Sequence, residues 1–156
     1  MEIESPFTNE VESFNNTESY PDLTFVVPGM EGSLSLHKKI LAKTSRTIKA
    51  MLKDHPGDKL EWIFETMNEI DKQALVKALR YCYGETLSVG TRNGECCALI
   101  AALSRLQVMC LDEVIPKLNR FALQQARNDL IGGVELLKMC VHYEECCKAE
   151  SCRSEE

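Results

Sequence analysis

The residues best suited to chemistry in this sequence crowd near its C-terminus. They are Cys140, His142, Cys146, Cys147 and Cys152. His142 and Cys146 stand at i and i+4 of a predicted helix, a spacing that can place an imidazole and a thiolate on one zinc ion. The region lacks the paired CxxC knuckles typical of zinc sites, and cysteine also packs as a small apolar residue. Packing or free thiols are therefore favoured, and a small Cys/His metal-binding or redox protein centred on residues 140–152 stays the alternative.

The second candidate is His37, in the stretch "SLSLHKKILAKTSRTIKAML". Apolar residues alternate before His37 and follow helical spacing after it, so a strand is predicted to pass into a helix there. Catalysis would need a nucleophile or a base beside the imidazole, and the sequence nominates none. The glycine-containing "PGMEG" lacks the Lys-Ser/Thr ending of a phosphate-binding loop. We therefore expect His37 to brace a structural joint.

Composition limits the function further. The chain has 156 residues and a formal net charge of -6, which disfavours a nucleic-acid partner because phosphates are bound by basic faces. No apolar run reaches the roughly 20 residues that a membrane-spanning helix needs. The N-terminus lacks the basic start and apolar stretch of a signal peptide, so we expect a cytoplasmic or nuclear protein with reduced cysteines.

The N-terminal segment, residues 1–19, is predicted to hold a short helix. Ser5 is a suitable N-cap, and Phe7, Val11 and Phe14 fall at i, i+4 and i+7, which makes one apolar stripe. A short, otherwise polar helix is marginal in water, so this stripe should dock on its own domain or on a partner. The alternative is a disordered acidic tail.

Three strands and two short helices are expected next. "DLTFVV" and "SLSLH" alternate on either side of a turn and predict a β-hairpin, and "KLEWIFET" predicts a third strand. Helical spacing from Lys38 predicts two short helices, the second capped by Ser45.

Four more helices are expected downstream. Asp71 is predicted to cap the first, which has one apolar face from Ala74 to Cys82, and the second follows around residues 96–103. The third spans residues 111–118, where Pro116 requires a start or a kink. The fourth begins at Leu130.

Several segments together resemble the BTB/POZ domain family. They are "DLTFVV" at 22–27, "LHKKILAKTS" at 36–45, "IKAML" at 48–52, "LVKALRYCYGETLSV" at 75–89 and "LIAALSRLQVMCLDEV" at 99–114. The sequence departs from the family pattern at Ser45-Arg46-Thr47-Ile48 and at Tyr83-Gly84-Glu85. The resemblance implies an α+β fold in which a small mixed β-sheet is covered by a cluster of α-helices.

The resemblance also implies an organisation of the chain. Residues 20–125 would form the BTB/POZ domain, and residues 1–19 would contribute a dimerisation helix. Residues 126–148 would begin a BACK/3-box-like helical extension, and residues 149–156 would be a polar tail.

The function implied by the resemblance is that of a non-enzymatic interaction module without a cofactor. Such domains form homodimers, and relatives also act as monomers or tetramers. The expected dimer interface comprises the stripe of Phe7, Val11 and Phe14 together with a charged pocket that contains Asp22 and Lys38.

A cullin-type ubiquitin-ligase scaffold is the second partner that the resemblance implies. Relatives that bind it carry an apolar-x-acidic triplet before the third strand, which Leu52-Lys53-Asp54 fits. The aligned position reads Pro56-Gly57-Asp58, so the expected cullin-facing residues are Leu52, Asp54 and Asp58.

Overall fold

A computed structural model describes residues 1–64, 68–92 and 94–139, and the side chains among these up to residue 130. The chain divides into two compact units, residues 1–119 and 120–156. The strands are β1 (Glu2–Ile3), β2 (Leu23–Val26), β3 (Leu34–Leu36), β4 (Lys59–Glu61) and β5 (Leu87–Ser88). The α-helices are α1 (Lys38–Thr44), α2 (Arg46–Asp54), α3 (Glu69–Cys82), α4 (Glu95–Leu106) and α5 (Leu111–Met139). Within the described ranges, no helix is both long and apolar enough to cross a bilayer.

The predicted hairpin and third strand form a mixed sheet in the order β3-β2-β4. β2 runs antiparallel to β3 and parallel to β4. The alternation explains the pairing, since Leu23, Phe25 and Leu36 point into the core while Thr24 is exposed. β4 is shorter than predicted: Leu60 is buried in it, and Ile63 beyond its end is 65% exposed.

Ser45 caps α2 as predicted, and it also ties the joint between α1 and α2 to the end of α4. Its Oγ accepts a hydrogen bond from Ile48 N–H at 3.2 Å, which caps α2. The same hydroxyl donates to the carbonyl of Leu106 at 2.5 Å, and Ser45 is fully buried. One short polar side chain thus satisfies two buried backbone groups at the helix joint.

Helix α3 packs extensively against α4 and begins earlier than the sequence suggested. Asn68 is the N-cap, because its Oδ1 accepts a hydrogen bond from Asp71 N–H at 2.9 Å. Asp71 was expected to be the cap and instead lies in the first turn, where its charge suits the helix dipole. The predicted apolar face from Ala74 to Cys82 is buried.

Helix α5 replaces two predicted helices. It runs continuously from Leu111 to Met139, so the expected break before Leu130 is wrong. Pro116 lies inside the helix and did not end it. Val114 and Leu118, from the predicted stripe, are buried in the first unit.

The N-terminal segment has no α-helix, which corrects the prediction from Phe7, Val11 and Phe14. β1 pairs antiparallel with β5, and two 3₁₀ turns follow at Val11–Ser13 and Thr17–Ser19. The Oγ of Ser5, expected to cap a helix, donates to the carbonyl of Tyr81 at 2.7 Å. The segment is therefore neither a free tail nor a helix, because its polar and aromatic groups are bound along the end of α3.

Gly84 allows this close approach. Its φ is +100°, and a Cβ built there would lie 2.5 Å from the carbonyl oxygen of Thr8 and 2.7 Å from Cα of Asn9. Both neighbours are backbone atoms, so a side chain would have to push the N-terminal segment away from the end of α3.

We predict that Gly84→Ala lowers the free energy of unfolding by about 2 kcal/mol, because backbone strain and overpacking add. Urea denaturation of this variant and of two control variants, Gly94→Ala and Gly57→Ala, would measure this loss of stability. Gly94, the N-cap of α4, has φ +83° and nothing within 4 Å of its Cβ position, so Gly94→Ala reports backbone strain and capping without a steric clash. Gly57→Ala, also with nothing within 4 Å, should be nearly neutral. Equal losses of unfolding free energy in Gly84→Ala and Gly94→Ala would show that the clash with Thr8 and Asn9 contributes nothing.

Candidate functional site: the α1 corner and the α2–β4 loop

His37 lies at the joint between β3 and α1, where the periodicity change predicted it. Its backbone N–H donates to the hydroxyl of Tyr83 at 2.8 Å, and its Nδ1 lies 2.9 Å from the same oxygen. Its Nε2 is 2.9 Å from the carbonyl oxygen of Ser19. A carbonyl can only accept, so the neutral ring carries its proton on Nε2 and Nδ1 accepts from Tyr83. The imidazole is fully engaged in joining three parts of the chain.

Tyr83 is the functional partner that sequence reasoning did not single out. The residue is fully buried, and burial raises the pKa of its phenol well above the usual range, while the bond from the His37 N–H opposes that rise. The phenol therefore stays protonated and can donate to Nδ1 while it accepts the N–H. A tyrosine just before a glycine turn was visible in the sequence, but its distant partner was not.

Asp22 and Lys38, the residues expected in a charged pocket, meet at this corner through the backbone of Lys38. Asp22 Oδ1 accepts a hydrogen bond from the backbone N–H of Lys38 at 2.8 Å, at the start of α1. The Lys38 ammonium instead lies 3.1 Å from Oδ1 of Asp58. The side chains of Lys38 and Asp58 are 31% and 95% exposed, so in one copy of the chain this pair is screened by water.

The three residues expected to face a cullin lie at the end of α2 and on the loop that leads to β4. Leu52 is half-buried on α2, and Asp54 and Asp58 are exposed. The backbone of Asp58 is held in place, since its carbonyl accepts from Thr24 N–H at 2.6 Å. The end of α2 therefore presents an apolar side chain and one carboxylate, and the loop presents a second carboxylate from a backbone that β2 holds in place.

The expected dimer stripe is not brought together as one surface. The ring of Phe7 packs edge-on against Tyr81 with ring centres 5.9 Å apart, and Phe14 packs against Tyr83 at 5.4 Å. The guanidinium of Arg80 lies over the ring of Phe14 at 5.0 Å. Val11 is half-buried in the first 3₁₀ turn. Both phenylalanines thus pack against aromatic rings of their own chain.

The metal candidates Cys140, His142, Cys146 and Cys147 lie outside the described residues. Inside the described ranges, no group of three or more His, Cys, Asp or Glu residues could hold a metal ion. Burial raises the pKa of the Cys82 thiol to about 12, which keeps it protonated and unreactive at neutral pH. The metal-binding interpretation of the C-terminal cluster stays a prediction.

Comparison with known proteins finds one family profile and several solved structures that are similar to this chain. The family profile of the BTB/POZ domain matches residues 11–122. Among solved structures, the chain is similar to the BTB domain of human Gigaxonin, with 19% identity, a TM-score of 0.53, and coverage of 72% of this chain and 85% of that one. It is also similar to the BTB domain of zebrafish PATZ1, with 20% identity, a TM-score of 0.49, and coverage of 65% and 76%. No curated protein sequence matches.

We predict that Tyr83→Phe costs about 1–3 kcal/mol of folding free energy, because it leaves the His37 N–H and Nδ1 without a partner. Urea denaturation would measure the loss, and limited proteolysis of residues 1–20 would report loosening of the segment that His37 holds through Ser19. Tyr20→Phe is the matched control, since that side chain is 91% exposed and should be replaceable without effect. Equal midpoints for the two variants would show that the buried hydroxyl contributes nothing.

Proposed function

Because the chain belongs to the BTB/POZ domain family, whose members are protein-interaction modules, we propose that it is an adaptor that pairs with a second copy of itself and docks on a cullin-type ubiquitin-ligase scaffold. The observation that carries the proposal is the charged corner of Asp22, Lys38 and Asp58. It is solvent-accessible in one copy, and hydrogen bonds fix its backbone on a buried core. A rigid, charged and accessible corner suits a protein partner.

The corner supports homodimerisation through its charge pattern. A twofold dimer brings the same patch of both copies together, so a patch carrying both charges can complement itself. Lys38 of one copy would face Asp22 or Asp58 of the other across the axis. These charges contribute little in water, but removing one partner after burial in an interface is costly.

The α2–β4 connection supports the scaffold part of the proposal. Leu52 offers an apolar side chain that is only half-buried near the end of α2, and Asp54 and Asp58 follow it in the chain as exposed carboxylates. In most interfaces a few side chains near the centre carry most of the binding energy, and Leu52 is the apolar side chain proposed for that role here. Basic residues on the scaffold would be steered toward the acidic rim.

We predict a solution mass of twice the 17.6 kDa chain mass by light scattering at micromolar concentration. Lys38→Glu should raise the dimer dissociation constant about tenfold or more, because like charges then meet at the seam. The variant leaves intact the backbone bond from Lys38 to Asp22. Lys49→Glu, the same charge change at another exposed lysine, is the matched control. A monomer at every concentration would rule out the dimer, and equal effects of the two variants would move the interface elsewhere.

We predict that Leu52→Asp lowers the affinity for a purified cullin N-terminal domain at least tenfold, as expected for loss of an apolar anchor. Biolayer interferometry with the immobilised adaptor would measure it. Ile63→Asp introduces the same charge at another apolar residue, one that is 65% exposed, and should bind as the unmodified chain does. No binding by the unmodified chain would leave dimerisation as the function.

A further inference from the structure

A cavity of about 310 Å³ opens between the N-terminal segment and α1. Pro6 and Phe7 of the N-terminal segment, Ile40 of α1 and the buried Cys82 line it. The cavity is large enough for a small ligand, since ligand pockets begin near 300 Å³. It lies on the flank of α1 away from Lys38, because Ile40 is about 200° around the helix from that residue.

The interior of this cavity is apolar. Phe7 and Ile40 are half-buried, and Cys82 is 1% exposed. The Cys82 thiol stays protonated for the reason given above and serves as a small apolar group. Thr44 also lines the cavity, but its hydroxyl already donates to the carbonyl of Ile40 at 2.9 Å. An apolar body therefore suits the interior better than a polar one.

The mouth of the cavity is basic. Lys39 and Lys43 both line it and are exposed, and as residues one turn apart they stand about 6 Å apart along the axis. The ion pairs found among the described residues involve Lys38, Lys77 and Arg80, and neither lining lysine takes part in them. Glu10 is the lining carboxylate on the opposite wall. Two ammonium groups against one carboxylate leave a local positive charge on a chain of net charge -6.

Hydrogen bonds and a ring contact hold the N-terminal segment that lines the cavity. The N–H of Glu10 donates to the carbonyl of Tyr83 at 2.6 Å. Ser5 Oγ donates to the carbonyl of Tyr81, and the ring of Phe7 packs against that tyrosine. These contacts hold the N-terminal wall at both ends, so a ligand need not pay for ordering it.

We propose that this cavity binds a small amphipathic carboxylate, with its apolar chain between Phe7 and Ile40 and its carboxylate between Lys39 and Lys43. The chain would have about ten carbons, since a methylene occupies roughly the volume of a water molecule, about 30 Å³. The proposal goes beyond the proposed function and does not depend on dimerisation or on a cullin.

The ligand test uses three probes that separate the apolar and charged parts. Decanoate and decyltrimethylammonium, each below its critical micelle concentration, and acetate are titrated separately into the ¹⁵N-labelled full chain and followed by ¹H–¹⁵N NMR. Decanoate should saturate and shift the amides of residues 7–10 and 39–44. The cation of equal chain length should bind at least tenfold more weakly, and acetate should not saturate. Equal binding of the two ten-carbon probes would overturn the charge assignment.

Variants of the lining residues test whether decanoate binds in this cavity. Ile40→Trp fills the cavity and should abolish saturable decanoate binding. Ile40→Phe is the smaller change, to be used if Ile40→Trp does not fold, and it should weaken the binding. The double change Lys39→Gln/Lys43→Gln should weaken binding about tenfold. Its matched control is Lys49→Gln/Lys53→Gln, an exposed i, i+4 pair on α2 whose loss changes the net charge equally. Equal weakening by both doubles, or full binding by the Ile40 variants, would overturn the site, whereas the dimer mass would be unaffected.

Discussion

One buried hydroxyl supports much of this fold. The phenol of Tyr83 accepts the N–H of His37 and donates to its Nδ1, so it fixes both the backbone and the ring at the joint between the hairpin and α1. The carbonyl of the same tyrosine accepts from Glu10, and its ring contacts Phe14. The end of α3 thereby holds the N-terminal segment and the start of α1 together. Because a buried polar group without a partner is costly, these bonds specify one arrangement of the three parts.

The elements predicted correctly are those set by local sequence. The alternation of Leu23 and Phe25 gave the strand, and Ser45 gave the helix joint, because side-chain periodicity and capping act over a few residues. The family and the α+β fold follow from several such segments in order and are confirmed. The start of α3 was misplaced because capping is also a local signal. Asn68 and Asp71 are both good caps, and the sequence does not say which one precedes the first turn.

The N-terminal segment could not be predicted from local pattern. Phe7 and Phe14 suit a helical stripe, but their partners are Tyr81 and Tyr83, and the bond from Ser5 to Tyr81 spans 76 residues. Tertiary contacts of this kind override a weak helical preference. The charged corner shows a similar limit. Proximity of Asp22 and Lys38 was predictable, whereas the sequence cannot tell a bond to the backbone N–H from a bond to the ammonium.

The two flanks of α1, each proposed as a binding surface, would gain binding energy in different ways. Lys38 and its acidic neighbours form a solvent-exposed charged corner. There, charges contribute more to specificity and to the rate of encounter than to affinity, until a partner excludes water. The flank of Ile40 instead lines an apolar cavity, where burying a chain contributes about 25 cal/mol per Å². Both flanks rest on one seven-residue helix that is too short to be stable alone. Both proposed binding surfaces therefore depend on the packing that holds α1 between the hairpin and α3, and that packing includes the N-terminal segment.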